Sequence, residues 1–583
     1  TTGDGNEYCT FYSEYRRRSE SEEEDDSYGF SGVMRPTELM EQAAAEGLCP
    51  HAVLLEAIEN AEVIIGNYKH IMDPVTVEAM TDTLIGPETL LICDEAHNLV
   101  PEARQELSDE VAHTTLKRAV EEIRTTILQL DGAAGKEMDR ALSAYRVTDD
   151  DLEQLAEMLE SLLEEIRDQT VAKLDIIDSN WHEDQSAIPE EMSIPLRDPE
   201  TAEQDELTDW FVDNGYEKLL EKAAKIEKAL TEGFDEAQRN SEFHANETYT
   251  DTVARVLKRW WQNDHAEYFR ELTVTKLEYE RNGDMGFEDY FTTSLTLENC
   301  IPAEEIASRI DSFGAAILMS ATLEPLGAFR ETIGADILES NGRDVQTLTY
   351  GLSYPEDNRF SAALPLPKYT STNRGDPGNG NEVRQKYLSA VSTVAKTTPG
   401  NVMVAMPNYE EARWAANRLQ SHPAVSKPVR ADGSDVDSDE LKEWFYGTED
   451  KILTTGLRGT LTEGVDFDGD KLRGCIVCGV PLRSLAGHYP DAIRNAYEAR
   501  FGSSKGFDYA FTIPAIRKAR QALGRVIRGT DEVGARVIAD RRYAQDRQWD
   551  DIREYLPEYE RQDYTRMSQS FADELQRFWA ENS

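Results

Sequence analysis

Short, strongly apolar runs set between helical stretches constrain this chain more than any other feature. Ala61–Asn67 (AEVIIGN) and Thr89–Asp94 (TLLICD) are too apolar for surface loops and too short for buried helices. Each reads as a strand buried on both faces, the mark of a parallel sheet covered by helices. A helical pattern runs from Pro36 to about Glu59, just ahead of the first. The strand pattern resumes at Ala315–Met319 (AAILM). It returns at Asn401–Met406, Lys451–Thr455, Gly474–Val480 and Ala535–Ala539, with helical segments between. The expectation is an α/β protein with two such units, closed by amphipathic helix after Asp550. Residues 18–32 are charged and Ser/Gly-containing and read as a solvated loop.

Residues 101–290 break this rhythm. They hold 48 acidic and 21 basic side chains, a net charge of −27 out of −51 for the chain. Long helical periods such as Asp151–Ile166 (DLEQLAEMLESLLEEI) come first. Alternating, strand-like runs at Glu271–Glu280 and Tyr290–Leu297 follow. This reads as an inserted, mostly helical domain, with no heptad run long enough for a coiled coil.

The 583 residues have room for several domains, and 39% hydrophobic content supports packed cores. No stretch has the ~18 apolar residues of a membrane span. The six cysteines are too few for a disulfide framework and read as reduced thiols or metal ligands in a cytoplasmic protein. Asp plus Glu number 112 against 61 Lys plus Arg, of which only 19 are Lys. A Lys-poor, acidic surface suits a salt-filled cytoplasm, where screening removes self-repulsion, so the chain reads as haloarchaeal. An acidic regulatory protein of an ordinary cytosol would share this balance. High salt also weakens the usual argument that such a charge excludes nucleic acid.

Four motifs carry chemistry. Asp94-Glu95-Ala96-His97 follows a strand, where parallel sheets bind ligands. One carboxylate there can hold Mg²⁺ and the other can polarise water, although acidic residues also suit a helix N-terminus. Ser320-Ala321-Thr322 follows the strand after the insert, where a turn or cap is the plainer reading. Glu463-Gly464-Val465-Asp466-Phe467 sets glycine between carboxylates and permits close backbone approach to a phosphate or ribose. In Gln521-Ala522-Leu523-Gly524-Arg525-Val526-Ile527-Arg528, the spacing expects Gln521, Arg525 and Arg528 on one helical face, converging on a γ-phosphate. From Ile516 to Arg542, eight basic residues face three acidic ones, a +5 island that expects an anionic partner. Pairing of these arginines with surface acids is the alternative.

Together and in this order, the four motifs resemble those of superfamily 2 DEAH helicases, and more narrowly of the XPD/DinG family. Gly479-Val480-Pro481 and Ala539-Asp540-Arg541-Arg542 also resemble that family. The resemblance implies two RecA-like motor domains with a mostly helical Arch-like insert and a partial iron–sulfur segment, the first motor domain lacking its N-terminal part. The implied division is 1–60 (iron–sulfur segment), 61–100 and 301–344 (first motor domain), 101–300 (insert) and 345–583 (second motor domain). It implies an ATP-dependent 5′→3′ DNA helicase of DNA repair, with Asp94 on Mg²⁺, Glu95 activating water, and His97 with Ser320, Ala321 and Thr322 coupling nucleotide state to DNA. Gln521, Arg525 and Arg528 would reach the γ-phosphate, and Glu463, Gly464 and Asp466 would line the nucleotide. The implied protein is a monomer acting on single-stranded or duplex DNA, with repair partners on the insert. An ATPase-inactive paralogue and a DinG-like helicase are the alternatives.

Cys9 and Cys49 (in Leu48-Cys49-Pro50) resemble the third and fourth ligands of the family's [4Fe–4S] cluster, which needs four thiolates. Two ordinary thiols is the other reading. His51 and Leu55 stand where relatives often carry an aromatic residue and an arginine. Cys475, Cys478, Cys93 and Cys300 read as core. The family's phosphate loop, G-x-x-x-x-G-K-[ST], is not found in these residues, and Gly135-Lys136-Glu137 is a false match. The expectation is an N-terminally incomplete sequence that on its own hydrolyses ATP poorly.

Overall fold

A computed structural model describes Thr10 to Asn582, apart from residues 20–34, 60, 131–134, 240–248, 278–286, 352–353, 379–380, 448–449, 460–470 and 545–549. Two compact units result. The first comprises Thr1–Leu90, Val100–Ala315 and Gly487–Ala496; the second comprises Leu91–Leu99, Ala316–Ala486 and Tyr497–Ser583. Among the described residues, no helix is long and apolar enough to cross a membrane.

The first unit is built around the acidic insert. Its longest helix, Asp149–Ile177, starts at a reciprocal cap in which the Thr148 hydroxyl accepts from the Asp151 amide and Asp151 accepts from the Thr148 amide. Leu152, Leu155, Leu159, Leu162 and Ile166 recur at helical spacing and are buried. They pack with helices His113–Leu130, Glu217–Arg239 and Tyr249–Gln262 in one core that includes Trp260. Beside the helices lies a four-stranded antiparallel sheet in the order Asp109–Ala112, Phe291–Asn299, Tyr268–Lys276, Glu191–Pro195. The two long strands match the alternating runs of the sequence. The two short edge strands, at four and five residues, carry too little alternation to be read in advance. Helices Pro36–Ala45 and Pro50–Glu59 fill the expected helical stretch, each with proline in its first turn.

Ala61–Asn67 departs from the expectation. It forms no strand, and Val63 and Ile65 are 80% and 96% exposed. Apolar β-branched character favours a strand only where a neighbouring ladder accepts its backbone. Leu90–Cys93 has such a partner in Ala315–Leu318, and these two strands form a sheet of their own. The Gly314 amide donates to the Thr89 carbonyl, and the Met319 amide donates to the Cys93 carbonyl, so the pair is parallel.

The second unit contains a seven-stranded, wholly parallel sheet. Its order is Thr565–Arg566, Arg359–Leu364, Gly534–Ala539, Gly474–Cys478, Val402–Met406, Ile452–Gly456, Val429–Ala431. Four of these were legible as apolar runs. Arg359–Leu364 opens with Arg359, which pairs with Asp563, and Val429–Ala431 is only three residues long. The four central strands bury every residue, as helices on both faces require. The tail beyond Asp550 is not one helix: short helical turns, an edge strand and the helix Phe571–Glu581 share it. Pro557, which cannot continue a preceding helix, stands between the turn Arg553–Tyr555 and the helix Glu558–Asp563.

Candidate active site

The site grows from the Leu90–Cys93/Ala315–Leu318 pair. Past the strand ends, the Ala96 amide donates to the Met319 carbonyl, which ties the turn after one strand to the turn after the other. Glu95 sits at φ 48°, ψ 42°, the left-handed region that few residues other than glycine, asparagine and aspartate take. The Asp94 carboxylate accepts from the Glu95 amide at 2.8 Å and closes this turn. Asp94 and Glu95 are both exposed at the tip.

His97 is the node. Its side chain is 2% exposed. Nδ1 lies 2.8 Å from the Ser320 hydroxyl and 3.2 Å from Glu95 Oε2. Nε2 lies 2.5 Å from the Gln521 side-chain nitrogen. An amide nitrogen only donates, so His97 Nε2 accepts and the ring proton sits on Nδ1. The Ser320 hydroxyl accepts from the Thr322 amide and donates to Glu95 Oε2 at 2.9 Å. A hydrogen-bonded line therefore runs Gln521–His97–Ser320–Glu95. The donation from His97 holds the Glu95 carboxyl below the usual glutamate range, and Ser320 and the Arg525 charge lower it further. Gln521 Oε1 is buried with no hydrogen-bond partner among the described residues.

Helix Ile513–Gly524 carries Gln521, and Arg525 is its C-cap at φ −75°, ψ −13°. The expected helical face therefore covers Gln521 and Arg525 but not Arg528. Gly524 ends the helix, and Arg528 lies beyond it in a turn where Glu532 accepts from the Arg528 and Gly529 amides. The +5 island is also largely consumed internally. Arg520 pairs with Glu560, Arg536 with Asp563, Arg541 with Asp550 and Arg542 with Asp540. Glu560, Asp563 and Asp550 lie beyond the island in sequence, so a count within it misses them, whereas Asp540 lies inside it.

Glu463, Gly464 and Asp466 lie outside the described residues, as does Cys9. Just before them, buried Asp432 accepts from the Thr455 hydroxyl at the tip of Ile452–Gly456. Cys49 is half-buried and free. Among the described residues, no group of three or more His, Cys, Asp or Glu side chains is placed to hold a metal ion. The described residues therefore do not build a cluster site, and no step is assigned to one. Cys475 and Cys478 belong to cores on opposite faces of their strand, and burial pushes both thiols far up. Their C-x-x-C spacing is structural.

Two residues the sequence reading passed over sit beside this line. Arg517 donates to the Leu323 carbonyl at 2.7 Å, and Arg520 sits beside the Glu324 carbonyl at 3.4 Å. Their advance signals were membership of the basic island and, for Arg517, a place four residues before Gln521.

A sheet-tip acid pair is thus wired through histidine to an arginine-bearing helix. Comparison with known proteins gives the following similarities. A DEAD_2 family model matches residues 1–116, and a Helicase C-terminal domain model matches residues 391–559. The chain is 22% identical to the general transcription and DNA repair factor IIH helicase subunit XPD/RAD3 of Saccharomyces cerevisiae, over 88% of this chain and 66% of that protein. It is 21% identical to the ATP-dependent DNA helicase CHL1 of Vanderwaltozyma polyspora, over 90% and 60%. With the Fanconi anemia group J protein homolog of Gallus gallus it shares 23%, over 85% and 40%. The chain thus spans two thirds or less of the length of these three relatives. Among solved structures, an XPD helicase aligns at 15% identity and TM-score 0.48 over 91% of this chain and 77% of its own. The S. tokodaii Xpd4 structure aligns at 13% and 0.45, over 86% and 81%. By the family models and the sequence relatives, the chain is similar to XPD/Rad3-type helicases.

Proposed function

We propose that the chain is the motor of an ATP-dependent DNA helicase engaged in DNA repair, in a salt-rich cytoplasm. The observation that carries this reading is the line Gln521–His97–Ser320–Glu95. In it, Glu95 takes a proton from water as the water oxygen bonds to the γ-phosphorus. The bond from that phosphorus to the bridging oxygen breaks, and ADP and inorganic phosphate leave. Glu95 is held ionised for this task by its neighbours. Asp94 would hold Mg²⁺, which commonly takes one or two carboxylates plus phosphate oxygens, and two adjacent exposed carboxylates fit that donor set. Arg525 and Arg528 would meet the γ-phosphate charge. Glu463, Gly464 and Asp466 would line the nucleotide, and Ser320, Ala321 and Thr322 would pass its state to bound DNA. In this reading residues 61–100 and 301–344 supply one motor domain, 345–583 the other, and 101–300 the insert that meets repair partners.

The test is phosphate release by the full-length protein in molar KCl with Mg²⁺, with and without single-stranded DNA. DNA should raise turnover well above the DNA-free rate. ATP bound without turnover would instead favour the inactive paralogue. The cluster reading rests on resemblance at Cys9 and Cys49. Visible absorbance of the full-length protein that disappears in Cys49→Ser would support it, and absorbance that survives would remove Cys49 from it.

A further inference from the structure

Arg517 sits one helical turn before Gln521, so both project from one face of helix Ile513–Gly524. Gln521 meets His97. Arg517 meets the Leu323 carbonyl at 2.7 Å, one residue past Thr322, with its guanidinium 5.6 Å from the centre of the Phe329 ring. The same helix face thus grips both turns of the site, one through a side chain and one through the backbone.

The energetics of Arg517 set it apart from its neighbour. Arg520 is equally buried but is ion-paired with Glu560, its Nε shared between the two carboxylate oxygens at 2.9 and 3.0 Å, and it donates to the Tyr559 hydroxyl. Arg517 has no carboxylate within ion-pair distance among the described residues. Its Nε is buried and unpaired, and burial draws its pKa down to about 9. A guanidinium held by one carbonyl and one ring face is a poor contributor to stability, and an apolar side chain of similar length would serve the core as well or better. What the apolar side chain could not do is donate to Leu323.

We propose that Arg517 is a positioning residue that locks the Ser320–Leu323 turn to the arginine-bearing helix, so that Gln521, His97, Ser320 and Glu95 stay in register during hydrolysis. The turn's own bonds explain why the lock is needed. Ser320 serves three partners at once, and its contact to the Thr322 amide is already 3.2 Å. Releasing the turn at Leu323 lets Ser320 drift from Glu95 while the nucleotide-binding surface stays in place.

The inference rests on the proposed ATPase, so Glu95→Gln is measured beside it in the full-length protein. Arg517→Met should fold with an unchanged or raised Tm. Its DNA-stimulated kcat should fall by about tenfold, with the KM for ATP within about twofold, as a small misplacement of a reacting group predicts. Arg517→Lys, whose ammonium can still reach the carbonyl, should recover part of the loss. Wild-type kcat in Arg517→Met overturns the inference. So does an Arg517→Met protein that fails to fold, or one whose kcat, KM and Tm fall together, because each makes Arg517 a structural residue. Normal turnover in Glu95→Gln would instead overturn the ATPase assignment itself.

Discussion

Glu95→Gln in the full-length protein lowers DNA-stimulated ATP turnover by about 10³-fold, the span of a lost general base, while ATP and DNA binding persist. Gln preserves the length and the hydrogen bond from Ser320, so the turn survives. What disappears is an acceptor for the proton of the attacking water. The pH profile gives a second reading of the same group. Glu95 has its carboxyl lowered in the folded protein, chiefly by His97. Its active, ionised form is therefore complete at and above the ordinary glutamate range. The form is lost only as pH falls through the lowered value. His97→Ala removes the largest cause of the lowering and should move the acid limb of the profile upward. Near-normal turnover in Glu95→Gln, or an acid limb indifferent to His97, would take Glu95 out of the mechanism.

Arg525→Lys should cost about 10²-fold or more in turnover, within the span seen when a transition-state donor or arginine finger is removed. The charge is retained in this variant, so any loss reports the planar fork, which an ammonium cannot reproduce. Arg525 is also a C-cap, and its φ and ψ are ordinary for any residue, so the helix end tolerates the change. ATP hydrolysis at the wild-type rate in Arg525→Lys would make the residue a local charge partner and nothing more. Arg528 stands in a turn beyond the helix, so its variant need not follow that of Arg525.

The seven-stranded sheet was legible because its central strands are apolar on both faces, as Val402–Met406 and Gly474–Cys478 show. Ala61–Asn67 looks the same in sequence and is not a strand, because pairing is a property of neighbours and not of the run itself. The acid pair, the hydroxyl turn and the Gln–Arg helix were legible as residue types. Their wiring was not, since Glu95–Ser320 and His97–Gln521 join positions hundreds of residues apart. The basic island misled for the same reason. Glu560, Asp563 and Asp550 neutralise it, and only the fold brings them there. Arg517 carried only the signal of standing four residues before Gln521 within the basic island, since what singles it out is burial without a carboxylate partner.

Strand displacement tests the central claim most directly. A forked DNA duplex is incubated with the full-length protein, ATP and Mg²⁺ in molar KCl, in parallel with Glu95→Gln. The account predicts release of the displaced strand by the wild type, none without ATP, and none by Glu95→Gln despite bound ATP. Displacement by Glu95→Gln at the wild-type rate, or by the wild type without ATP, would contradict it.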